Sequence, residues 1–258
     1  VQEVEGFRTD VRVMVLSYMN TDWYIHQLRE TYYDSEAFRF TLDEDDYRQY
    51  GPNDVIYVQE SIQGGIDVAQ FIALLKKGHP ALTLMDRNGD PYHILPSRTL
   101  KITLPTRGPV LKTSVKPESR SVEEMILYVG ENYLPKSVLA ILDLIVSNQW
   151  TRPVYFNFTS LNTLGVDLTS YVTQEGQLFR LHSEKNDDGI AIDTALCYRN
   201  IVEHADYGNL NDLDVHFSYE DHFARMIVPI RQAFNDLARA FLDEGNIEAA
   251  GHTLQEGK

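Results

Sequence analysis

The residues best suited by type to meet a ligand are Asn20, Thr21, Asp22, Trp23 and Tyr24. They follow an apolar run, residues 11–17 (VRVMVLS), and lead into a helical pattern that extends through Tyr33. Read as strand, loop and helix, this places them at the carboxyl end of a strand and at a helix N-terminus. Open α/β sheets take their ligands there, and the helix end favours anions. Trp23 and Tyr24 offer faces that could stack on a sugar ring. The plainer role for the same residues is a helix cap plus core aromatics. No G-x-G-x-x-G accompanies the loop, which argues against a dinucleotide site.

The other candidates are weaker. Asp86, Asn88 and Asp90 (DRNGD) resemble the start of a calcium loop, but the bidentate Glu expected further on is missing. A hairpin turn around Asn88-Gly89 explains the string better. His216, Glu220, Asp221 and His222 form the densest group of metal-type ligands. The spacing of the two histidines does not put them on one helix face, and there is no H-E-x-x-H string. Asp43, Glu44, Asp45 and Asp46 are consecutive carboxylates in an acidic chain and say little about acid–base chemistry. Ser17 and Ser160 lack a G-x-S-x-G context. The sequence therefore assigns no catalytic residue, no metal site and no cofactor.

Composition narrows the function classes. In 258 residues, 23 basic side chains face 38 acidic ones, a formal charge of −15. Such a surface repels phosphate backbones and anionic lipid heads, which argues against nucleic acid as a partner. Cys197 is the single cysteine, so neither an internal disulfide nor a cysteine-based zinc site can form. A small buried apolar residue is its expected role. No stretch reaches the roughly 20 apolar residues needed to span a bilayer. The most apolar one, SVLAILDLIVSNQW, is broken by Asp143. The opening VQEVEG reads as the middle of something longer.

The elements that would position these residues alternate between strand and helix. Residues 11–17 and 154–158 read as central parallel strands, residues 66–77 and a segment entered at Pro135 as helices, and residues 81–85, 92–95, 100–104, 125–129 and 178–182 as short strands. Residues 35–62 read as a long acidic surface loop, and residues 106–121 as a connection. This alternation predicts an α/β fold with a mostly parallel sheet and helices on both faces. The tail differs. Phe234, Leu237, Ala238, Phe241, Gly245, Ala250 and Leu254 fall at the spacing of one tetratricopeptide repeat. The expected division is an α/β domain over residues 1–218 and a tetratricopeptide-like helical hairpin over residues 219–258, docked on it.

Four segments carry a family resemblance: QEVEGFRTDVRVMVLSYMNTDWYIHQL, LPKSVLAILDLIVSNQWTRPVYF, YGNLND and FNDLARAFLDEGNIEAA. Together they resemble, in order, the soluble part of a bacterial family of multi-pass membrane proteins described as glycosyltransferase-like or protein O-mannosyltransferase-like. The resemblance implies membrane helices preceding this region, an extracytoplasmic (periplasmic) location, and the membrane-embedded N-terminal half of the same protein as a partner. That family's transferase assignment rests on the membrane half, so the resemblance transfers no catalytic residue here. The resulting expectation is a non-catalytic accessory domain that binds a glycan, an acceptor or a protein partner. The alternative is an enzyme domain contributing to glycosyl transfer, with its site at Asn20, Thr21, Asp22 and Trp23.

Overall fold

The computed structural model describes residues 2–104, 120–121, 123–211 and 220–258. Its strands are β1 (Val55–Val58), β2 (Ile66–Asp67), β3 (Thr83–Met85), β4 (Pro91–Leu95), β5 (Thr99–Thr103), β6 (Arg120–Ser121), β7 (Glu124–Tyr128), β8 (Tyr133–Pro135), β9 (Tyr155–Asn157), β10 (Val172–Gln174), β11 (Leu178–Leu181), β12 (Glu184–Lys185) and β13 (Ala191–Ile192). Its helices are α1 (Gln2–Glu5), α2 (Asp22–Leu28), α3 (Val68–Lys76), α4 (Lys136–Asn148), α5 (Phe158–Thr163), α6 (Thr194–Tyr198), α7 (Glu220–Asp243) and α8 (Ile247–Glu256). The described residues group into two compact units.

The first unit holds residues 2–104, 123–152 and 164–167. It contains a four-stranded sheet, β3-β4-β1-β8, and a three-stranded sheet, β2-β5-β7. Helix α4 is its centre. Every residue from Lys136 to Ile145 is buried, as a helix apolar over most of its circumference requires. Helix α3 buries Val68, Phe71, Ile72 and Leu75 on one face. Asp67 caps it by accepting from the Gln70 N–H at 2.8 Å, and Gly78 leaves it with φ +58°. The expected hairpin is present: β3 and β4 pair antiparallel around Asn88-Gly89, with Gly89 at φ +87°.

The second unit holds residues 120–121, 153–163, 168–211 and 220–258. Its larger sheet runs β13-β10-β11-β9, and β12 pairs with β6. Helices α7 and α8 lie antiparallel. The Arg231 guanidinium, on the N-terminal half of α7, donates to the Lys258 carbonyl beyond the end of α8 at 2.9 Å. Ala233, Phe234, Leu237, Ala238 and Phe241 meet Ala250 between the two helices. The same cluster includes Cys197 and Ile201, so the pair docks on α6 and the turn after it and is not a free arm. Ile230 packs against this cluster as well. The hairpin shares a unit with residues 168–211.

Several sequence expectations are corrected. The sheets are mixed and not mostly parallel: among the described residues three strand pairings are parallel and six antiparallel. Residues 11–17 are not a strand. Residues 11–15 carry no regular structure and a 3₁₀ turn follows at Leu16–Asn20. The Val15 N–H donates to the Tyr24 hydroxyl at 2.9 Å, outside any ladder, and the run leaves Val13 and Val15 exposed. Continuous apolar character fits a buried strand, but only paired neighbours make one. Likewise β9 is an edge strand, antiparallel to β11, with Tyr155 exposed. In the other direction, β1 lies inside the stretch expected to be a loop, between β4 and β8. The expectations for residues 106–119 and for His216 lie outside the described residues, as do those for the side chains of Glu220, Asp221 and His222.

Candidate functional site

Two polar members of the loop from Asn20 to Tyr24 support the fold. The Asn20 Oδ1 accepts the Ser137 N–H at 3.0 Å. Pro135, at the N-cap of α4, has no side-chain acceptor, so Asn20, 117 positions before Ser137, supplies the missing cap. The Thr21 hydroxyl donates to the Tyr18 carbonyl at 2.6 Å and closes the 3₁₀ turn that precedes α2. Asp22 is engaged at the start of α2: its Oδ1 accepts the Trp23 N–H at 2.7 Å and its Oδ2 the Gln49 N–H at 3.5 Å.

The aromatic members divide. Tyr24 is buried beneath the loop and holds Val15 through its hydroxyl. Trp23 is 56% exposed and Tyr18 51% exposed. The Trp23 and Tyr18 rings lie 6.0 Å apart, and Tyr24 meets them edge-on at 5.5 and 5.7 Å respectively. The result is an exposed two-ring surface on a buried third ring, with its backbone tied to the N-terminus of α4. Rings fixed in this way lose little entropy on meeting a ligand face. Tyr18 was not singled out from the sequence. The spacing of three aromatics in SYMNTDWY was the available signal.

The remaining candidates are structural. The Asp86 carboxylate accepts the Asn88 and Asp90 N–H groups at 2.7 and 2.9 Å, so DRNGD is a self-bonded hairpin turn. Among the described residues no group of three or more His, Cys, Asp or Glu is placed to hold a metal ion. Cys197 is buried, accepts the Gly176 N–H at 3.0 Å and donates to the Gln174 carbonyl at 3.1 Å. Burial pushes its thiol up to about 12, far from a reactive thiolate.

Asp143, which the sequence shows only as a break in an apolar stretch, is fully buried in α4. Its carboxylate accepts the Thr41 N–H at 2.8 and 3.0 Å and the Leu42 N–H at 3.0 Å. It also accepts the Tyr47 hydroxyl at 2.8 Å and the Ser147 hydroxyl at 3.0 Å. Burial, with the adjacent carboxylate second, pushes the Tyr47 phenol well above its usual range, so it remains a donor. A carboxylate with every acceptor position used is a fastening for the loop at residues 41–47 and has no capacity left for a substrate.

The fold and this surface define a mixed α/β domain whose described residues include no helix long and apolar enough to cross a membrane. The family model described as TMEM260-associated domain 2 matches residues 1–196, and the chain belongs to that family, a domain of a membrane protein. No curated protein and no solved structure matches the chain.

Proposed function

We propose that this chain is a non-catalytic accessory domain of a glycosyltransferase-like membrane protein. It lies on the extracytoplasmic side, periplasmic in a bacterium, and binds a glycan, an acceptor or a protein partner through the aromatic surface of Tyr18 and Trp23. The observation that carries this is the division of labour within one loop. Asn20 caps α4, Thr21 and Asp22 secure the turn and the start of α2, and the two exposed rings are held in place with free faces. Stacking on apolar sugar faces needs such rings and no perturbed acid or base. The engaged state of Asn20, Thr21 and Asp22 supports binding over a contribution to glycosyl transfer. The tail is of tetratricopeptide type in this proposal, which the interdigitation of Phe234, Phe241 and Ala250 supports. The membrane-embedded half of the parent protein is the expected covalent partner.

The test is a titration with neutral oligosaccharides followed by the two indole N–H signals, from Trp23 and Trp150. The Trp23 signal shifts saturably and the Trp150 signal stays. Absence of any Trp23 response across mannose-, glucose- and N-acetylglucosamine-containing oligosaccharides would count against the glycan reading.

A further inference from the structure

Three half-buried arginines of the first unit lie over aromatic rings and bond to backbone carbonyls: Arg12 over Tyr32, Arg29 over Phe40, and Arg152 over Phe38. Arg29 sits close enough to Tyr47, itself bonded to Asp143, to act on its phenol, so its charge is placed near a buried carboxylate. Among the described residues Arg12 and Arg152 have no such carboxylate in ion-pair contact. They hold one turn from two sides. Arg12 donates to the Glu30 carbonyl at 2.7 Å, and Arg152 donates to the Glu36 carbonyl and the Ser35 hydroxyl, both at 3.0 Å. Between them, Tyr32 and Ser35 exchange backbone bonds at 3.0 Å. Neither arginine forms an ion pair among the described residues, although the chain carries 38 acidic side chains. Asp34, on the same turn, accepts from the Thr9 hydroxyl at 2.5 Å and is in ion-pair contact with neither.

Two like charges held together in an acidic protein are costly unless something of opposite sign visits them. The Arg12 guanidinium is pushed below its usual range, first by burial and then by the charge of Arg152, with only the phenols of Tyr24 and Tyr32 acting the other way. The buried Arg12 Nε has no hydrogen-bond partner. Guanidinium forks with unspent N–H groups match the oxygens of carboxylate and phosphate.

We propose that Arg12 and Arg152 form an oxyanion site, taking a phosphate or carboxylate group at the turn that carries Tyr32 and Ser35. The site goes beyond saccharide stacking on Trp23 and does not require it. Tyr24, whose ring meets Trp23 at 5.5 Å, also bears on the charge of Arg12, so the two surfaces share a neighbour. A ligand using both would be an acidic or phosphorylated saccharide.

The test titrates the whole chain with inorganic phosphate in one arm and glucuronate in the other. Sodium chloride at matched ionic strength is the reference, and the arginine Nε–H signals are the readout. The Arg12 and Arg152 signals shift saturably with at least one oxyanion and not with chloride, and the stronger arm identifies the group. Arg152→Gln weakens binding about tenfold or more, the loss of one charge-assisted contact, and Arg152→Lys restores part of it. No saturable shift in the native chain, an equal shift with chloride, or undiminished binding in both Arg12→Gln and Arg152→Gln overturns the proposal. The native titration decides by itself if a variant fails to fold. Because it reads arginine signals and not the Trp23 indole, its failure is separable from that of saccharide binding.

Discussion

Asp143 and the turn held by Arg12 and Arg152 are two solutions to one problem, a charge removed from water. At Asp143 five hydrogen bonds from Thr41, Leu42, Tyr47 and Ser147 converge on a single carboxylate. At the turn one guanidinium donates to the Glu30 carbonyl and the other to the Glu36 carbonyl and the Ser35 hydroxyl, with no carboxylate in ion-pair contact among the described residues and one buried N–H unspent. A saturated charge is architecture: it fixes where the chain must go and offers nothing to a ligand. An unsaturated, half-buried one can be completed from outside. The loop from Asn20 to Tyr24 contains the same contrast within five residues, with its polar groups engaged and the Trp23 ring exposed.

The largest effect that would break or sharpen this contrast is at Asp143. Asp143→Ala leaves two backbone N–H groups and the Tyr47 hydroxyl without their acceptor in the interior. The expected cost is about 3–5 kcal/mol in urea denaturation, with the first unit failing to fold at the upper end. A loss below about 1 kcal/mol would show that the loop at residues 41–47 finds water instead.

A smaller effect is expected at Asn20. Asn20→Ala removes the cap that α4 receives from afar and should lower stability by about 1 kcal/mol. The Trp23 indole response to a saccharide should be retained if the loop keeps its shape. An unchanged urea midpoint would free Asn20 for a role in recognition.

The same accounting extends to His182, which pairs through Nε2 with the Thr173 hydroxyl at 2.7 Å while its buried Nδ1 has no partner. Burial lowers its proton affinity below the usual histidine range, as it does for His93. The unfolded chain then binds protons that the folded chain refuses. Stability from this source is intact above the unfolded value of about 6.5 and is lost as pH falls through it toward the folded value. The effect is best read as a difference, since lowering pH also relieves the self-repulsion of so acidic a chain. Between about pH 7.5 and 5.5, native protein should lose more stability than His182→Gln does. Equal pH dependence in the two would show that the ring titrates normally.

How much of this was legible in the sequence depended on the range of the signal. Helix α3 with its Gly78 exit, the Asn88-Gly89 hairpin and the packing between α7 and α8 are written locally, in spacing and turn chemistry. Strand β1 was missed because it sits in an acidic stretch and is defined by partners from β4 and β8, far along the chain. Residues 11–17 failed for the converse reason: the composition suits a strand, but among the described residues no neighbour pairs with it. The loop from Asn20 to Tyr24 could be picked out by residue type, yet the use of Asn20 depends on Ser137, and the turn that Arg12 and Arg152 both hold draws on residues from the two ends of the first unit. Such relations exist only after folding.

The central claim is that the exposed rings are there for a ligand and not for the fold, and Trp23→Ala tests it most directly. Urea denaturation and saccharide titration are run on the same variant. The expected result is a stability change within about 1 kcal/mol, since the ring is largely in water, together with loss of the saccharide response. A drop of several kcal/mol with the response of the native protein retained would contradict it, and would make Trp23 one more part of the core.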